Sequence, residues 1–197
     1  MITVKKFQIV PVSVFMAVTI IVIFLLYATT IIKTIPCNKD ILSTFYSNFI
    51  HIDFYHLIGN LIAFYGLSRI EQNLGTKNFI LLIVFLLVFN TIAETIIYKL
   101  FPCIKCSIGF SGVLFGLITW ELIKNKQLDI TLIASILFMV FLPSIQNPKA
   151  SLSGHLVGAI SGIISGIIWA KLYKNKDNYK ESNFFSKSTN PPINLLL

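Results

Sequence analysis

Charge is what this chain of 197 residues has least of. Asp, Glu, Lys and Arg together make up 12% of it, against about a quarter in an ordinary soluble domain. That shortage excludes a typical soluble fold. Between Lys6 and Lys33 there is no charged residue at all. The run is too long for the core of a signal peptide, and no small-residue cleavage site follows it, so it reads as a retained membrane span. Repeats at solenoid spacing are absent. The net charge of +8 calls for no nucleic acid, because a basic membrane face beside anionic lipid accounts for it.

What the chain does have is apolar residues, 55% of the total. Further uncharged runs cover 54–68, 78–93, 106–120, 130–148 and 150–170. Each approaches the roughly 20 residues that a helix needs to cross a bilayer. The expectation is an all-α membrane domain over residues 1–173, with six spans at about 8–32, 54–70, 78–98, 111–124, 128–142 and 152–173. The second and fourth are short, and a short span can be buried among other helices. Residues 174–197 are polar and read as a disordered tail. Gly75 ends the second span, Pro102 lies in the loop before Ser111, and Pro143 and Pro148 bracket the loop before the last span. In the long loop at 33–53, ILSTFYSNFI reads as a short interfacial element.

Lysine placement orients the bundle. With the N-terminus inside, eleven of the sixteen Lys and Arg residues fall on the inner side and five on the outer, as the positive-inside rule requires. Both termini are then cytoplasmic, in the inner membrane if the host is bacterial.

Few polar groups lie inside the spans: His56, Asn60, Glu94, Ser111, Glu121 and His155. Such groups are costly in a bilayer and default to function or helix bridging. His56 and Asn60 are four apart and share one helix face. They sit near the outer end of the second span, Ser111 opens the fourth, and His155 lies in the first turn of the sixth. Four polar groups from three helices thus reach one depth. A serine becomes a nucleophile beside a base, and imidazole is the usual one. Glu94 and Glu121 fall at the wrong place or depth for a third member and read as helix-end or interhelical bonding groups, so the set suits a Ser111–His155 dyad. His56, Asn60 and the Ser111 N–H at a helix start are candidate oxyanion donors. Taken singly, each has a plainer reading: Ser111 as a helix cap or packing serine, His155, His56 and Asn60 as helix bridges, and His51 as a loop anchor.

Gly109 and Gly112 let the backbone turn sharply beside Ser111. Gly154, Gly158, Gly162 and Gly166 recur every four residues, and Gly112 with Gly116 makes a matching notch. Two bare faces allow close helix contact, which would bring Ser111 and His155 within hydrogen-bond reach. Cys103 and Cys106 form a CxxC in the loop before Ser111, without further zinc ligands. A disulfide between them, or from Cys37 to either, is open.

These residues together resemble the rhomboid family of intramembrane serine proteases. The matches are His51-x4-His56-x3-Asn60, Glu71-x3-Gly75, Gly109-x-Ser111-Gly112 and His155-x2-Gly158-x3-Gly162. GxSG alone is weak, but the motifs stand in the family's order on the family's helices. The resemblance implies the basic six-helix bundle with a short, central fourth helix, Ser111 as nucleophile and His155 as general base. It implies His56, Asn60 and the Ser111 N–H around the oxyanion, and Phe115 as the aromatic packing on the catalytic histidine. Gly109, Gly112, Gly158 and His51 support that set. It implies single-span membrane proteins as substrates and no metal or organic cofactor; it says nothing of oligomeric state. The Trp-Arg pair that many rhomboids carry after the first span is missing: the tryptophans are Trp120 and Trp169, and the one arginine is Arg69. The rival readings are a rhomboid-like pseudoprotease that binds membrane clients without cutting, and a transporter, which would need polar lining through both leaflets.

Overall fold

The computed structural model describes residues 10–32, 40–124, 129–146 and 150–188, with side chains through residue 172 except at 146. Among the described residues eight helices follow one another: α1 (Pro11–Ala28), α2 (Ile41–Ser47), α3 (Phe54–Leu67), α4 (Arg69–Leu74), α5 (Thr76–Leu100), α6 (Ser111–Lys124), α7 (Ile130–Gln146) and α8 (Leu152–Ser188). No strand occurs among the described residues. The protein is an all-α bundle, and α1, α5 and the Leu152–Leu172 part of α8 are long and apolar enough to cross a membrane. Ile130–Ile145 is a shorter apolar helix.

Local chemistry accounts for where the helices start. Asp40 caps α2, its side chain accepting from the N–H groups of Leu42 and Ser43. Asp53 caps α3, accepting from the His56 N–H at 2.8 Å. The start of α1 is capped from a distance: the Glu71 carboxyl on α4 accepts from the Val12 N–H at 3.0 Å, the Ser13 N–H at 2.8 Å and the Ser13 hydroxyl at 2.8 Å. Those N–H groups have no partner within their own helix, and a carboxyl suits the positive end of the helix dipole.

Of the two short spans, α6 is the central one. Its 14 residues make a rod of about 21 Å, well short of a bilayer core. Nine of them are buried, Trp120 completely. By contrast α3 buries only the stripe Leu57, Asn60, Phe64 and Leu67, and leaves Tyr55 and Tyr65 exposed. One apolar cluster joins α1, α3, α5 and α6 through Ile20, Phe64, Leu86 and Trp120. A second joins α6, α7 and α8 through Phe115, Ile136, Val140 and Ala159.

Three boundaries differ from expectation. The 54–70 segment is two helices, broken at Ser68, whose hydroxyl turns back to the Tyr65 carbonyl at 2.7 Å. Pro143 lies inside α7 rather than in the loop after it. A proline near the end of a helix removes one intrahelical N–H bond, and a last turn can follow it. Finally, the backbone of α8 stays helical to Ser188, where a disordered tail was expected from residue 174. Extending an existing helix needs no new nucleus. Residues 189–197, like Cys37 and Pro148, lie outside the described residues.

Helices α6 and α8 meet backbone to backbone. A Cβ on Gly158 would run into the Gly112 carbonyl oxygen and stand 2.8 Å from its carbon. A Cβ on Gly162 would run into the Gly116 carbonyl oxygen in the same way. Only glycine fits such a seam. The Thr119 hydroxyl crosses it to the Ala159 carbonyl at 3.0 Å.

Candidate active site

The close seam aligns the first turns of α6 and α8. Gly112, next to Ser111, faces the Gly154 carbonyl, which lies 3.3 Å from where a Cβ on Gly112 would stand. His155 follows Gly154. Phe115 is one turn beyond Ser111 on the same face of α6, and its ring centroid is 4.3 Å from that of His155, tilted 36°. The expected aromatic plate on the histidine is therefore present as phenylalanine. Ser111 is half-buried and His155 buried.

The expected hydrogen bond between them is not formed among the described residues, and the His155 Nδ1 atom is buried without a partner. The ring lies against Phe115 and beside the Val140 carbonyl of α7. Catalytic hydrogen bonds are often loose before substrate binds and tighten in the complex, so the helix geometry brings the pair to one place without closing it.

The loop leading to Ser111 is held by glycine. Gly109 has φ +108°, in the region that side chains avoid. A Cβ there would stand 2.8 Å from His56 Nε2 and 3.6 Å from Asn60 Nδ2. The loop thus lies directly against the two expected oxyanion donors on α3. In this state the Asn60 NH2 donates to the His56 carbonyl at 3.1 Å. His51 is fully buried, its ring 5.0 Å from that of His56 and its Nδ1 3.3 Å from the Phe49 carbonyl. Burial, with the His56 imidazole beside it, holds the His51 pKa down at about 4. It is a neutral imidazole packed behind His56, in keeping with a structural role.

Four groups from three helices are thus gathered at one end of the bundle: His56 and Asn60 from α3, Ser111 from α6 and His155 from α8. A family model for the rhomboid domain matches residues 38–172. The chain belongs to the rhomboid family. A rhomboid-named protein of Acanthamoeba polyphaga mimivirus is 33% identical to it over 129 residues, which cover 63% of this chain and 72% of the viral one. As a rhomboid with apolar helices of spanning length, it is an integral membrane protein.

How this rhomboid supports the site without the Trp-Arg pair is visible in α2. The Ser47 carbonyl, at the end of that helix, accepts from the Gly109 N–H at 2.9 Å. Phe49 then packs near Phe110, with ring centroids 6.3 Å apart, and Phe110 against Phe64 at 5.3 Å. The short element read from ILSTFYSNFI is a helix, and it braces the loop before Ser111 directly.

Of the two glutamates set aside as lying at the wrong place or depth, Glu121 pairs with Lys124 at 2.8 Å near the far end of α6. Glu94 is a buried hydrogen-bonding group, and its carboxyl lies at the depth of the site, its Oε1 3.2 Å from where a Cβ on Gly154 would stand. Asn90, one turn away on α5, went unnoticed inside an apolar run. It is fully buried, its amide nitrogen is 3.2 Å from the same point on Gly112, and neither of its amide atoms has a partner. The only signal was the spacing of Asn90, Glu94 and Tyr98 by four, which puts all three on one face. In the loop before Ser111, Cys106 is disulfide-bonded and Cys103 is free and exposed. The pairings that use Cys103 are thereby excluded. Among the described residues no group of three or more metal-ligating side chains occurs.

Proposed function

We propose that the chain is an intramembrane serine endopeptidase that cleaves single-span membrane proteins with a Ser111–His155 dyad. The observation that carries this reading is the stacking of Phe115 on His155 at 4.3 Å, one helical turn from Ser111 across the glycine seam. His155 accepts the Ser111 proton as the serine oxygen attacks a substrate carbonyl. The oxyanion is met by the Ser111 N–H at the start of α6, with His56 and Asn60 behind Gly109. The proton passes from His155 to the leaving amine, and water then hydrolyses the acyl-enzyme by the same route in reverse. The lysine distribution supports cytoplasmic termini and a site opening to the outer face.

A pseudoprotease that binds membrane clients is the second reading, favoured by the missing Ser111–His155 hydrogen bond. Cleavage of a single-span substrate by the purified protein separates the two. Ser111→Ala and His155→Ala should each reduce cutting by roughly six orders of magnitude, to background. A fluorophosphonate probe should label Ser111 only while His155 is intact. Cutting by Ser111→Ala at the parent rate would sink the protease reading, and an unlabelled, inactive parent would favour the client-binding one.

A further inference from the structure

Among the described residues no acidic third member contacts His155, yet a buried carboxyl lies one layer behind it. Glu94 Oε2 accepts from the Tyr98 hydroxyl at 3.0 Å. The Tyr98 oxygen in turn accepts from the Ser107 N–H at 2.6 Å. The Ser107 hydroxyl and Glu94 Oε1 both face Gly154, so the three residues form a ring around that point. All three residues are buried.

The ring touches both halves of the candidate site. Through Ser107 it holds the loop that enters Gly109 and Ser111. That loop is clamped a second time two residues on, where the Gly109 N–H meets the Ser47 carbonyl. Through its other side the ring forms the surface on which α8 begins. A Cβ on Gly154 would run into the Ser107 hydroxyl and stand 2.9 Å from Ser107 Cβ and 3.2 Å from Glu94 Oε1. His155 is the next residue. One unit, built from α5 and the loop after it, therefore sets where the nucleophile loop and the histidine helix start relative to each other.

We propose that Glu94, Tyr98 and Ser107 form a positioning ring for the dyad, acting on Ser111 through the loop before it and on His155 through Gly154. The inference rests on the protease reading, and it assigns the buried carboxyl a structural share in catalysis without a proton transfer. What matters is a hydrogen-bond acceptor at position 94 and a hydroxyl at 98. A carboxamide at 94 keeps the acceptor; an alkyl side chain does not.

The test uses the full-length protein in bilayer discs, with two measurements. The first is the rate of Ser111 labelling by a fluorophosphonate, which needs no substrate helix to bind. The second is amide hydrogen exchange over 107–111 and 152–155. Tyr98→Phe and Glu94→Leu should each slow labelling about tenfold or more, as small misplacements of reacting groups do, and should speed exchange in both segments. Glu94→Gln should recover most of the rate lost in Glu94→Leu. Ser13→Ala, which removes a buried hydrogen bond to Glu71 at the start of α1, should lower the melting temperature without slowing labelling. Should one substitution fail to fold, Ser107→Ala removes the hydroxyl arm alone and gives the same readout. Labelling at the parent rate in Tyr98→Phe overturns the proposal. So does equal slowing in Ser13→Ala, which would mark a general loss of stability. If the parent is never labelled, the protease reading fails on its own. The exchange arm then decides the ring, and unchanged protection at 152–155 in Tyr98→Phe sinks it.

Discussion

Toward α6, helix α8 offers Gly158 and Gly162, and the backbones meet directly, with only the Thr119 hydroxyl reaching across. Toward α7, it offers Leu156, Ile163 and Ile167, clustered with Leu132, Ile136 and Val140. The first contact tolerates almost no adjustment, because carbonyl oxygens fill the space that a Cβ would need. The second consists of flexible apolar side chains. In lipid such side chains gain little from each other over acyl tails, and α7 keeps Leu137 and Phe138 exposed. The lesson is a division of labour. Helices α6 and α8, which carry Ser111 and His155, are locked in register, whereas α7 leans on them through a surface that can repack.

Three substitutions test that contrast. The largest effect is expected from Gly158→Leu, since the new side chain meets the Gly112 carbonyl and must push α6 and α8 apart. Labelling of Ser111 and cleavage should both vanish, and α6–α8 cysteine cross-links should weaken. A labelled, active Gly158→Leu protein would mean that the seam is not rigid. Next is Phe115→Ala, at the point where the seam meets α7. It removes the plate under His155, and an aromatic contact of this kind is worth up to about tenfold in rate. That loss should appear in probe labelling, with substrate affinity unchanged. The smallest effect on rate is expected from Ile136→Ala on α7. Truncating a buried isoleucine costs about 2 kcal/mol of stability, visible as a lower unfolding midpoint, while labelling stays near the parent rate. If Ile136→Ala slows labelling as much as Phe115→Ala does, α7 belongs to the rigid part.

The seam was legible before any coordinates, because four glycines at intervals of four on one segment and two on another can only describe matching bare faces. The helix starts carrying His56, Ser111 and His155 were legible too, from charge-free runs and lysine placement. The loop of residues 101–110 was not. It has no period, and its path depends on partners outside it: the Ser47 carbonyl and the Tyr98 hydroxyl. The surroundings of Glu94 were hidden for the same reason. It lies near the end of a span when read linearly, but the loop folds back over it and makes it interior. Pro143 was read by the rule that proline ends helices, which speaks of one N–H bond and not of the turn that can follow. Asn90 was hidden by its neighbours, since one amide hardly changes the hydropathy of the run around it.

The cap on α1 carries a consequence for how the protein is made. Val12 and Ser13 wait for a carboxyl 58 or 59 residues further along. A ribosome must therefore deliver α1, α2, α3 and half of α4 before the first helix can complete its own beginning. Until then the leading segment is an apolar rod with an unfinished end, free to sit in the bilayer without a fixed height. When Glu71 arrives it sets that height. The first span is thus inserted early but registered late, by a side chain that follows the third helix.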